Sequence, residues 1–251
     1  MADKTELERK VEESKQLGAG AEHYRSYVGP PAQFDFMGAT QFVLLFSLGL
    51  REEHAVLDVG CGSLRTGRLL LQFLLPDRYV GVEPNSWLWR DALKAEIGED
   101  VVRLKLPQFV EDASFSLTSI GRQFDFIVMQ SILSHTGGDM IDRPLEQARA
   151  VMKPHGQFLF TVLDEDALNF ATLRQGATAP GWHYPDCVTY EKDDILGRCE
   201  RAGLYTQKLR WFHPRQSWYR AVLEKDRLLS EADMLQLGTG RPLFDARFSG
   251  R

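Results

Sequence analysis

The stretch Val56–Gly67, which reads VLDVGCGSLRTG, decides the fold that this sequence predicts. Apolar residues lead into an acid at Asp58, and two glycines, Gly60 and Gly62, precede a leucine-rich helical pattern. Glycine at these positions permits backbone angles that a side chain would forbid, and it lets a ligand approach the main chain. A strand, a tight glycine turn and a helix in this order are typical of the nucleotide-binding corner of a doubly wound α/β sheet.

The same alternation continues outward along the chain. Short apolar segments bounded by glycine, proline and acidic residues predict strands, and segments of helical periodicity between them predict helices. Because only a short link, 213–216, joins the last two strands, we expect them to be antiparallel. The sequence therefore predicts an α/β fold with a doubly wound, mostly parallel seven-stranded sheet that ends in an antiparallel hairpin. The predicted strands cover residues 55–59, 79–82, 101–106, 124–130, 157–163, 205–212 and 218–224, and the predicted helices cover 3–17, 41–50, 64–75, 86–97, 145–152 and 193–202.

Three regions follow from this pattern. Residues 1–54 form an N-terminal helical and aromatic segment, residues 55–224 form the core, and residues 225–251 form a tail that either packs or extends. The many aromatic residues of 21–40 either cover the sheet or wall a ligand site. Within the core, residues 164–190 interrupt the alternation, and a long insertion of this kind is often functional.

Composition excludes several classes of partner. The 251-residue chain has 30 Lys and Arg against 35 Asp and Glu, a net charge of −5, and no basic block that would favour nucleic acid. Its longest apolar runs are too short to span a bilayer, so we expect no membrane partner. Three cysteines, Cys61, Cys187 and Cys199, lack metal-ligand spacing and are odd in number. They predict free thiols in a cytoplasmic protein, with no metal site.

Acidic residues end the first two predicted strands, on the side where an open α/β sheet binds its ligand. Glu83 stands 21 residues after Gly62, a spacing that places a carboxylate beside two ribose hydroxyls. A dinucleotide-binding site requires a third glycine at the position that Arg65 occupies, and the Asp58 carboxylate would repel a pyrophosphate. An adenosyl cofactor that carries an ammonium group therefore suits this corner better than a nicotinamide dinucleotide.

Five separated segments carry a family resemblance. VLDVGCG, YVGVEPN, EDASF and FDFIVMQSILSH resemble motifs one to four of the class I S-adenosylmethionine-dependent methyltransferases, and MKPHG resembles the turn before their fifth strand. The resemblance covers residues 55–224, and the segments GSLRTGR, SILSH and HPRQSWY are similar to a bacterial subgroup whose substrate is unassigned. It implies a Rossmann-like methyltransferase fold with S-adenosylmethionine as the cofactor.

The resemblance also implies roles for individual residues. Asp58 would face the amino group of the cofactor, Glu83 would hold the ribose hydroxyls, and Arg65 would meet the carboxylate of the cofactor, an anionic substrate, or only solvent. The sequence departs from the family at Leu64, where many relatives have a third glycine. The full set of cofactor-binding residues implied is Asp58, Gly60, Cys61, Gly62, Arg65, Glu83, Pro84, Asn85, Asp112, Ala113, Gln130 and Ser131.

A candidate base follows the fourth strand. His135 is expected on the reactive side of the cofactor, and histidine titrates near neutrality, so we predict it as the catalytic base. Asp139 or Asp164 would either orient that base or serve as a helix cap or a loop acid. Weaker candidates for the substrate wall are Tyr24, Tyr27, Trp182, His183, Tyr184, His213 and Arg215, of which the two histidines are also alternative bases.

The function that we expect is methyl transfer from S-adenosylmethionine to a small-molecule or sugar-like acceptor, at a hydroxyl oxygen. Two alternatives belong to other classes. A non-catalytic S-adenosylmethionine-binding or regulatory protein would keep the same pocket without turnover. An NAD-dependent oxidoreductase would need a third turn glycine and a hydride-transfer set, and neither is evident in the sequence.

Overall fold

The computed structural model describes residues 5–243 of the chain. Its central sheet has seven strands in the order β3-β2-β1-β4-β5-β9-β8. The first five are parallel, whereas β9 is antiparallel to β5 and to β8, so the predicted fold class is confirmed. The strands are β1 (Val56–Val59), β2 (Tyr79–Val82), β3 (Gln108–Val110), β4 (Phe124–Met129), β5 (Met152–Val162), β8 (Tyr205–Lys208) and β9 (Ser217–Val222), and β6 (Arg174–Gln175) pairs with β7 (Val188–Thr189) separately.

Helices cover both faces of the sheet. Successive residues of β1 face opposite sides, because side chains alternate along a strand: Leu57 joins the apolar cluster that contains Leu145, and Val56 joins the cluster that contains Leu44 and Leu70. All five are fully buried. The helices are α1 (Glu6–Ser14), α2 (Tyr24–Tyr27), α3 (Phe34–Ser47), α4 (Gly67–Phe73), α5 (Ser86–Ala92), α6 (Glu99–Lys105), α7 (Asp142–Val151), α8 (Lys192–Arg201) and α9 (Glu231–Gly238).

The predicted third strand, 101–106, is wrong. This segment is helix α6, and the strand that follows it, β3, is only three residues long. Glu99 and Asp100 lie in the first turn of the helix, and Arg103 and Lys105 lie in its last turn. This charge order complements the helix dipole and outweighs the strand preference of the two valines between them.

Other boundaries move by a few residues. The helix predicted over 64–75 begins only at Gly67, because Leu64 adopts a left-handed backbone with φ +57°. The helix predicted over 86–97 ends at Ala92 and continues as a single π-helical segment, Leu93–Ile97. Strand β5 begins at Met152, five residues earlier than the prediction, and β8 ends at Lys208, four residues earlier.

An ion-pair cluster fixes the N-terminal segment to the core. Arg25 and Arg68 each approach Glu96, with nitrogen-to-oxygen distances of 2.8 Å, and both also pair with Asp35. Both guanidinium groups lie over the ring of Phe34, at 4.7 and 5.2 Å from its centroid. Because the Glu96 side chain is only 5% exposed, these charges are partly shielded from solvent and bind the segment tightly.

The predictions for the N-terminal helix and for the C-terminal tail concern segments that the structure describes only in part. The N-terminal helix spans Glu6–Ser14, with Thr5 as its cap, and residues 1–4 lie outside the described range. The tail packs through α9, whose Met234 and Leu237 are buried in the cluster beside Leu44. Residues 244–251 of the tail also lie outside the described range.

The insertion 164–190 packs on the loop that follows β4. The amide of Gly137 donates to the carbonyl of Gly181 at 2.8 Å, and that of Gly138 donates to the carbonyls of Gly176 and Ala179 at 2.8 and 2.9 Å. A Cβ atom on Gly137 would lie 2.2 Å from the Ala179 carbonyl oxygen, so this contact requires glycine. The insertion therefore braces the loop that carries His135.

Candidate functional site

A cavity of about 420 Å³ opens at the carboxyl ends of β1, β2 and β4. Every residue that the sequence predicts for cofactor binding lines it, and so does His135. Of the predicted substrate-side residues, Tyr27, Trp182 and Tyr184 also line the cavity. The cofactor-set residues in the wall are Asp58, Gly60, Cys61, Gly62, Arg65, Glu83, Pro84, Asn85, Asp112, Ala113, Gln130 and Ser131.

The glycine turn forms the floor of the cavity. Gly60 and Gly62 have φ angles of +71° and +50°, in the left-handed region that disfavours side chains. A Cβ atom on Gly60 would lie 2.0 Å from Ile132 Cδ1, and one on Gly62 would lie 2.7 Å from Val28 Cγ1. Leu64 holds a third left-handed position, where it fills the core at a conformation that suits glycine better.

Glu83 braces this turn. One carboxylate oxygen accepts from the amide of Gly62 at 3.2 Å, and the other accepts from the Asn85 amide and side chain at 2.9 and 3.1 Å. Burial raises the pKa of Glu83, while these hydrogen bonds act to lower it. A carboxylate offers about four acceptor positions, so it retains capacity for a ligand hydroxyl.

Asp58 lies beneath the turn, nearly enclosed. Its carboxylate accepts from the Tyr79 hydroxyl at 2.9 Å. Burial raises the pKa of Asp58 to about 6, although the Tyr79 hydrogen bond and the positive charge of Arg65 act to lower it. An ammonium group beside Asp58 would stabilise the ionised carboxylate.

A hydrogen-bond network fixes the end of β4. Ser131 has φ +60°; its amide donates to Thr161 Oγ1 at 2.8 Å and its hydroxyl accepts from Gln216 Nε2 at 3.0 Å. Thr161 in turn donates to Gln216 Oε1 at 2.6 Å. The neighbouring Gln130 is 7% exposed, and neither polar atom of its side chain has a hydrogen-bond partner among residues 5–243. Since buried amides are normally hydrogen-bonded, Gln130 marks a place for a polar ligand atom.

The insertion fixes the tautomer of His135. The Nδ1 atom lies 2.6 Å from the backbone carbonyl oxygen of Asp186, and a carbonyl only accepts, so Nδ1 carries the proton. The backbone of His135 also accepts from the amide of His183 at 2.8 Å. Burial, with the nearby positive charge of Arg215, lowers the pKa of His135. The neutral ring therefore presents Nε2 as a base, and no described residue hydrogen-bonds to that atom.

The Asp112 loop closes the third side. Asp112 accepts from the amide and hydroxyl of Ser114 at 3.2 and 2.6 Å and from the amide of Ser116 at 2.8 Å. Burial acts to raise the pKa of Asp112, but these hydrogen bonds outweigh it and the pKa is lowered. The side chain thus fixes its own loop and holds Ala113 at the cavity wall.

Four predicted substrate-side residues do not line the cavity. Tyr24 is buried within the N-terminal segment, against Phe34, and the backbone amide of His183 donates to the His135 carbonyl. His213 and Arg215 lie on the loop before β9, and neither lines the cavity. The aromatic residues of 21–40 thus serve both roles left open by the sequence, because Tyr24 covers the core and Tyr27 lines the cavity.

Two acids proposed to orient the base do not contact it. Asp164 is fully buried and accepts from Lys208 and Tyr219 at 2.6 Å and from Ser217 at 2.8 Å, so it ties β5 to the terminal hairpin. Asp139 accepts from the amide of Gly181, which makes it a loop acid.

The three cysteines are free, as predicted. Burial raises the pKa of the Cys61 thiol well above its usual range, which keeps it neutral. Among residues 5–243 no group of three or more His, Cys, Asp and Glu side chains is placed to hold a metal ion. Within the same range no helix is long and apolar enough to cross a membrane.

Sequence reasoning missed several cavity residues. Gln41 and Thr66 line the wall and hydrogen-bond to each other at 2.6 Å, and Val28 and Met140 also contribute. Two of the missed residues lie in segments that the sequence marks, because Thr66 belongs to Val56–Gly67 and Ile132 directly follows Ser131. The segments that carry Val28, Gln41 and Met140 have no motif that points to the cavity.

Comparisons with known proteins agree with this geometry. Residues 57–158 match the model of a methyltransferase domain family. A search of curated proteins finds no match to the chain. The match to a methyltransferase domain and the fold that the chain shares with solved methyltransferases agree with the predicted use of S-adenosylmethionine as the methyl donor.

Three solved structures illustrate the likeness in fold. Magnesium protoporphyrin IX methyltransferase from Synechocystis, with bound S-adenosylhomocysteine, is 17% identical with a TM-score of 0.56, over 87% of this chain and 93% of that one. The DhpI complex with S-adenosylhomocysteine is 18% identical with a TM-score of 0.55, over 86% of this chain and 95% of that one. An S-adenosylmethionine-dependent methyltransferase from Clostridium acetobutylicum is 14% identical with a TM-score of 0.55, over 76% and 93%.

Proposed function

We propose that the chain transfers a methyl group from S-adenosylmethionine, held in the cavity, to a hydroxyl oxygen of a small-molecule acceptor. The observation that carries this proposal is the joint placement of the glycine turn, Glu83 and the neutral His135 around one cavity. The acceptor class is supported by the size of the cavity, about 420 Å³, and by its aromatic cover.

The residues present fit the cofactor. Asp58 offers a buried carboxylate to an ammonium group, Glu83 retains acceptor capacity for ribose hydroxyls, and Gln130 has an unpartnered amide in the wall. The glycine turn lets a ligand contact the main chain, and Asp112 with Ala113 forms the side that the adenine edge would meet. When bound, S-adenosylmethionine supplies an activated methyl group on a sulfonium.

The chain itself supplies alignment, a base and protection from water. His135 accepts the proton of the acceptor hydroxyl at Nε2, while the Asp186 carbonyl keeps its ring oriented through Nδ1. The hydroxyl of Tyr184 donates to the backbone carbonyl of Tyr27, which joins the insertion to the N-terminal segment above the cavity. We infer that residues 5–54 and the insertion 164–190 cover the cavity and select the acceptor.

Calorimetric titration tests the cofactor assignment. The protein is titrated with S-adenosylhomocysteine, the demethylated cofactor, and in parallel with NADH. We expect saturable 1:1 binding of S-adenosylhomocysteine and none of NADH, because Asp58 faces the position of a pyrophosphate. Binding of NADH alone would contradict the proposal and favour an oxidoreductase.

A further inference from the structure

Three aromatic rings join the candidate base in one part of the cavity wall. Trp182, Tyr184 and Tyr27 all line the cavity, as His135 does. The ring centroids of Trp182 and Tyr184 lie 5.7 and 5.2 Å from that of His135. Tyr27 extends the group, with its centroid 5.2 Å from that of Tyr184. These four side chains therefore form a continuous aromatic surface in which the base is one member.

The backbone fixes Trp182 beside His135. The amide of Gly137 donates to the carbonyl of Gly181 at 2.8 Å, and the amide of His183 donates to the carbonyl of His135 at 2.8 Å. These two hydrogen bonds flank Trp182 on both sides, so the backbone that carries its ring is tied to the backbone that carries the base. A substrate group that packs on this ring is thereby held in one position relative to the base.

Much of the Trp182 side chain remains uncovered by the protein. It is 49% exposed although it lines a cavity, whereas Trp218 in the core is 2% exposed. Its ring contacts that of His135 at an angle of 49° between the two planes. Aromatic pairs gain stability beyond the burial of their area, so a large uncovered ring in a cavity wall is suited to pack against a flat ring of a ligand.

The base favours an acidic hydroxyl. Burial, with the nearby positive charge of Arg215, lowers the pKa of His135, so its neutral ring is a weak base. An aromatic hydroxyl ionises with a pKa of about 10, as the tyrosine side chain does, whereas an aliphatic hydroxyl ionises far higher, near the value of about 15.7 for water. A weak base therefore takes a proton from a phenol more readily than from an alcohol or a sugar.

We propose that the acceptor is a phenolic compound, whose aromatic ring packs on Trp182 and Tyr184 while its hydroxyl meets Nε2 of His135. This inference rests on the proposed methyltransferase function and narrows its acceptor class. The phenol oxygen forms the new bond to the methyl carbon, and its proton moves to Nε2 of His135. The electron pair of the broken sulfur–methyl bond stays on the cofactor sulfur, so the product is an aryl methyl ether.

The test uses paired probes on the full chain saturated with S-adenosylhomocysteine. The probes 1-naphthol and decahydro-1-naphthol share their carbon skeleton and their hydroxyl, but only the first is aromatic. We expect 1-naphthol to bind at least about fivefold more tightly in calorimetric titration, because only its flat ring can form aromatic pairs with the wall. Any smaller preference overturns the proposal. Tighter binding of methyl glucoside than of 1-naphthol also overturns it, since that result would indicate a sugar acceptor.

Substitutions of Trp182 assign the preference to its ring. Trp182→Leu should abolish the preference for 1-naphthol, and Trp182→Phe, which keeps an aromatic ring, should retain it. Phe212→Leu is the matched control and should also retain it, because Phe212 is 58% exposed and does not line the cavity. We expect every variant to bind S-adenosylhomocysteine within about twofold of wild type, since both residues have large exposed fractions.

The outcomes separate this proposal from the function on which it rests. A preference for 1-naphthol that survives in Trp182→Leu, or that is lost only together with S-adenosylhomocysteine binding, overturns the assignment of the acceptor ring to Trp182. Loss of the preference in Phe212→Leu overturns it as well. Failure of the wild type to bind S-adenosylhomocysteine would instead contradict the proposed methyltransferase function.

Discussion

Replacement of Glu83 by Gln separates its two roles, as a brace of the glycine turn and as an acceptor for the cofactor. Glutamine keeps the size of the side chain and retains one oxygen, which can serve Asn85 at 2.9 Å. The side-chain nitrogen of the glutamine would then face the Gly62 amide. That amide would lose the Glu83 carboxylate oxygen, which accepts from it at 3.2 Å in the wild type. A hydrogen bond to a charged group contributes about 1.5–3 kcal/mol, so we expect the free energy of unfolding to fall by about 2 kcal/mol. The melting temperature should fall by roughly 4–8 °C for a chain of this size.

Cofactor affinity should fall as well. One ribose hydroxyl would lose its charged acceptor, at a cost of about 1–3 kcal/mol, which corresponds to a loss of affinity of about fivefold to 150-fold. Calorimetric titration with S-adenosylhomocysteine and with methylthioadenosine should show the same loss, because both carry the ribose. Glu111→Gln is the control, since Glu111 is half exposed, pairs with Arg90 and does not line the cavity. A lower melting temperature with unchanged affinity for both ligands would refute the ribose role of Glu83.

Three further substitutions test other parts of the structure. His135→Asn should lower kcat by about 10²–10⁴-fold with little change in S-adenosylhomocysteine affinity, and an unaltered kcat on the acceptor would remove His135 as the base. Because the pKa of His135 is lowered in the wild type, the wild-type rate should persist below pH 6.5. Asp164→Asn should cost about 3–5 kcal/mol in chemical denaturation, against less than about 1 kcal/mol for the exposed Asp166→Asn. Burial acts to raise the pKa of Asp164, but the hydrogen bonds from Lys208 and its neighbours outweigh burial and the pKa is lowered. The stability that the ionised Asp164 contributes is therefore present above the unfolded pKa of about 3.9 and is lost as the pH falls further. Equal stability of the variant and the wild type in acid would contradict this. Leu64→Gly relieves a left-handed backbone by about 1 kcal/mol but empties a fully buried site at about 2–5 kcal/mol, so thermal unfolding should show net destabilisation, not a gain.

The sheet and the ligand edge could be predicted because both follow from short-range patterns. The strand around Leu57 is apolar on both faces, as a central parallel strand must be, and the acids Asp58 and Glu83 mark where two such strands end. Parallel strands bring their carboxyl ends together, so residues far apart in sequence converge at one cavity. The prediction of a strand over 101–106 is wrong because its valines favour a strand, whereas the acidic first turn and basic last turn of this segment favour the helix that the structure shows.

The finer chemistry of the site was not predictable from the chain. The tautomer of His135 depends on the carbonyl of Asp186, which an irregular insertion places 2.6 Å from Nδ1. Likewise, the side-chain amide of Gln130 lacks a hydrogen-bond partner among residues 5–243 because of how the fold places its neighbours. Periodicity and motif spacing report where a backbone turns, but they carry no information on contacts between irregular segments.

Transfer of a deuterated methyl group measures the central claim directly. The protein is incubated with S-adenosylmethionine labelled as the CD₃ sulfonium and a small-molecule extract, and products are read by mass spectrometry. The proposal predicts a protein-dependent product of low molecular mass that carries the label on oxygen, with His135→Asn as the inactive control. S-adenosylhomocysteine binding without any labelled product, or label found only in protein or nucleic acid, would contradict the proposed methyl transfer to a hydroxyl of a small molecule.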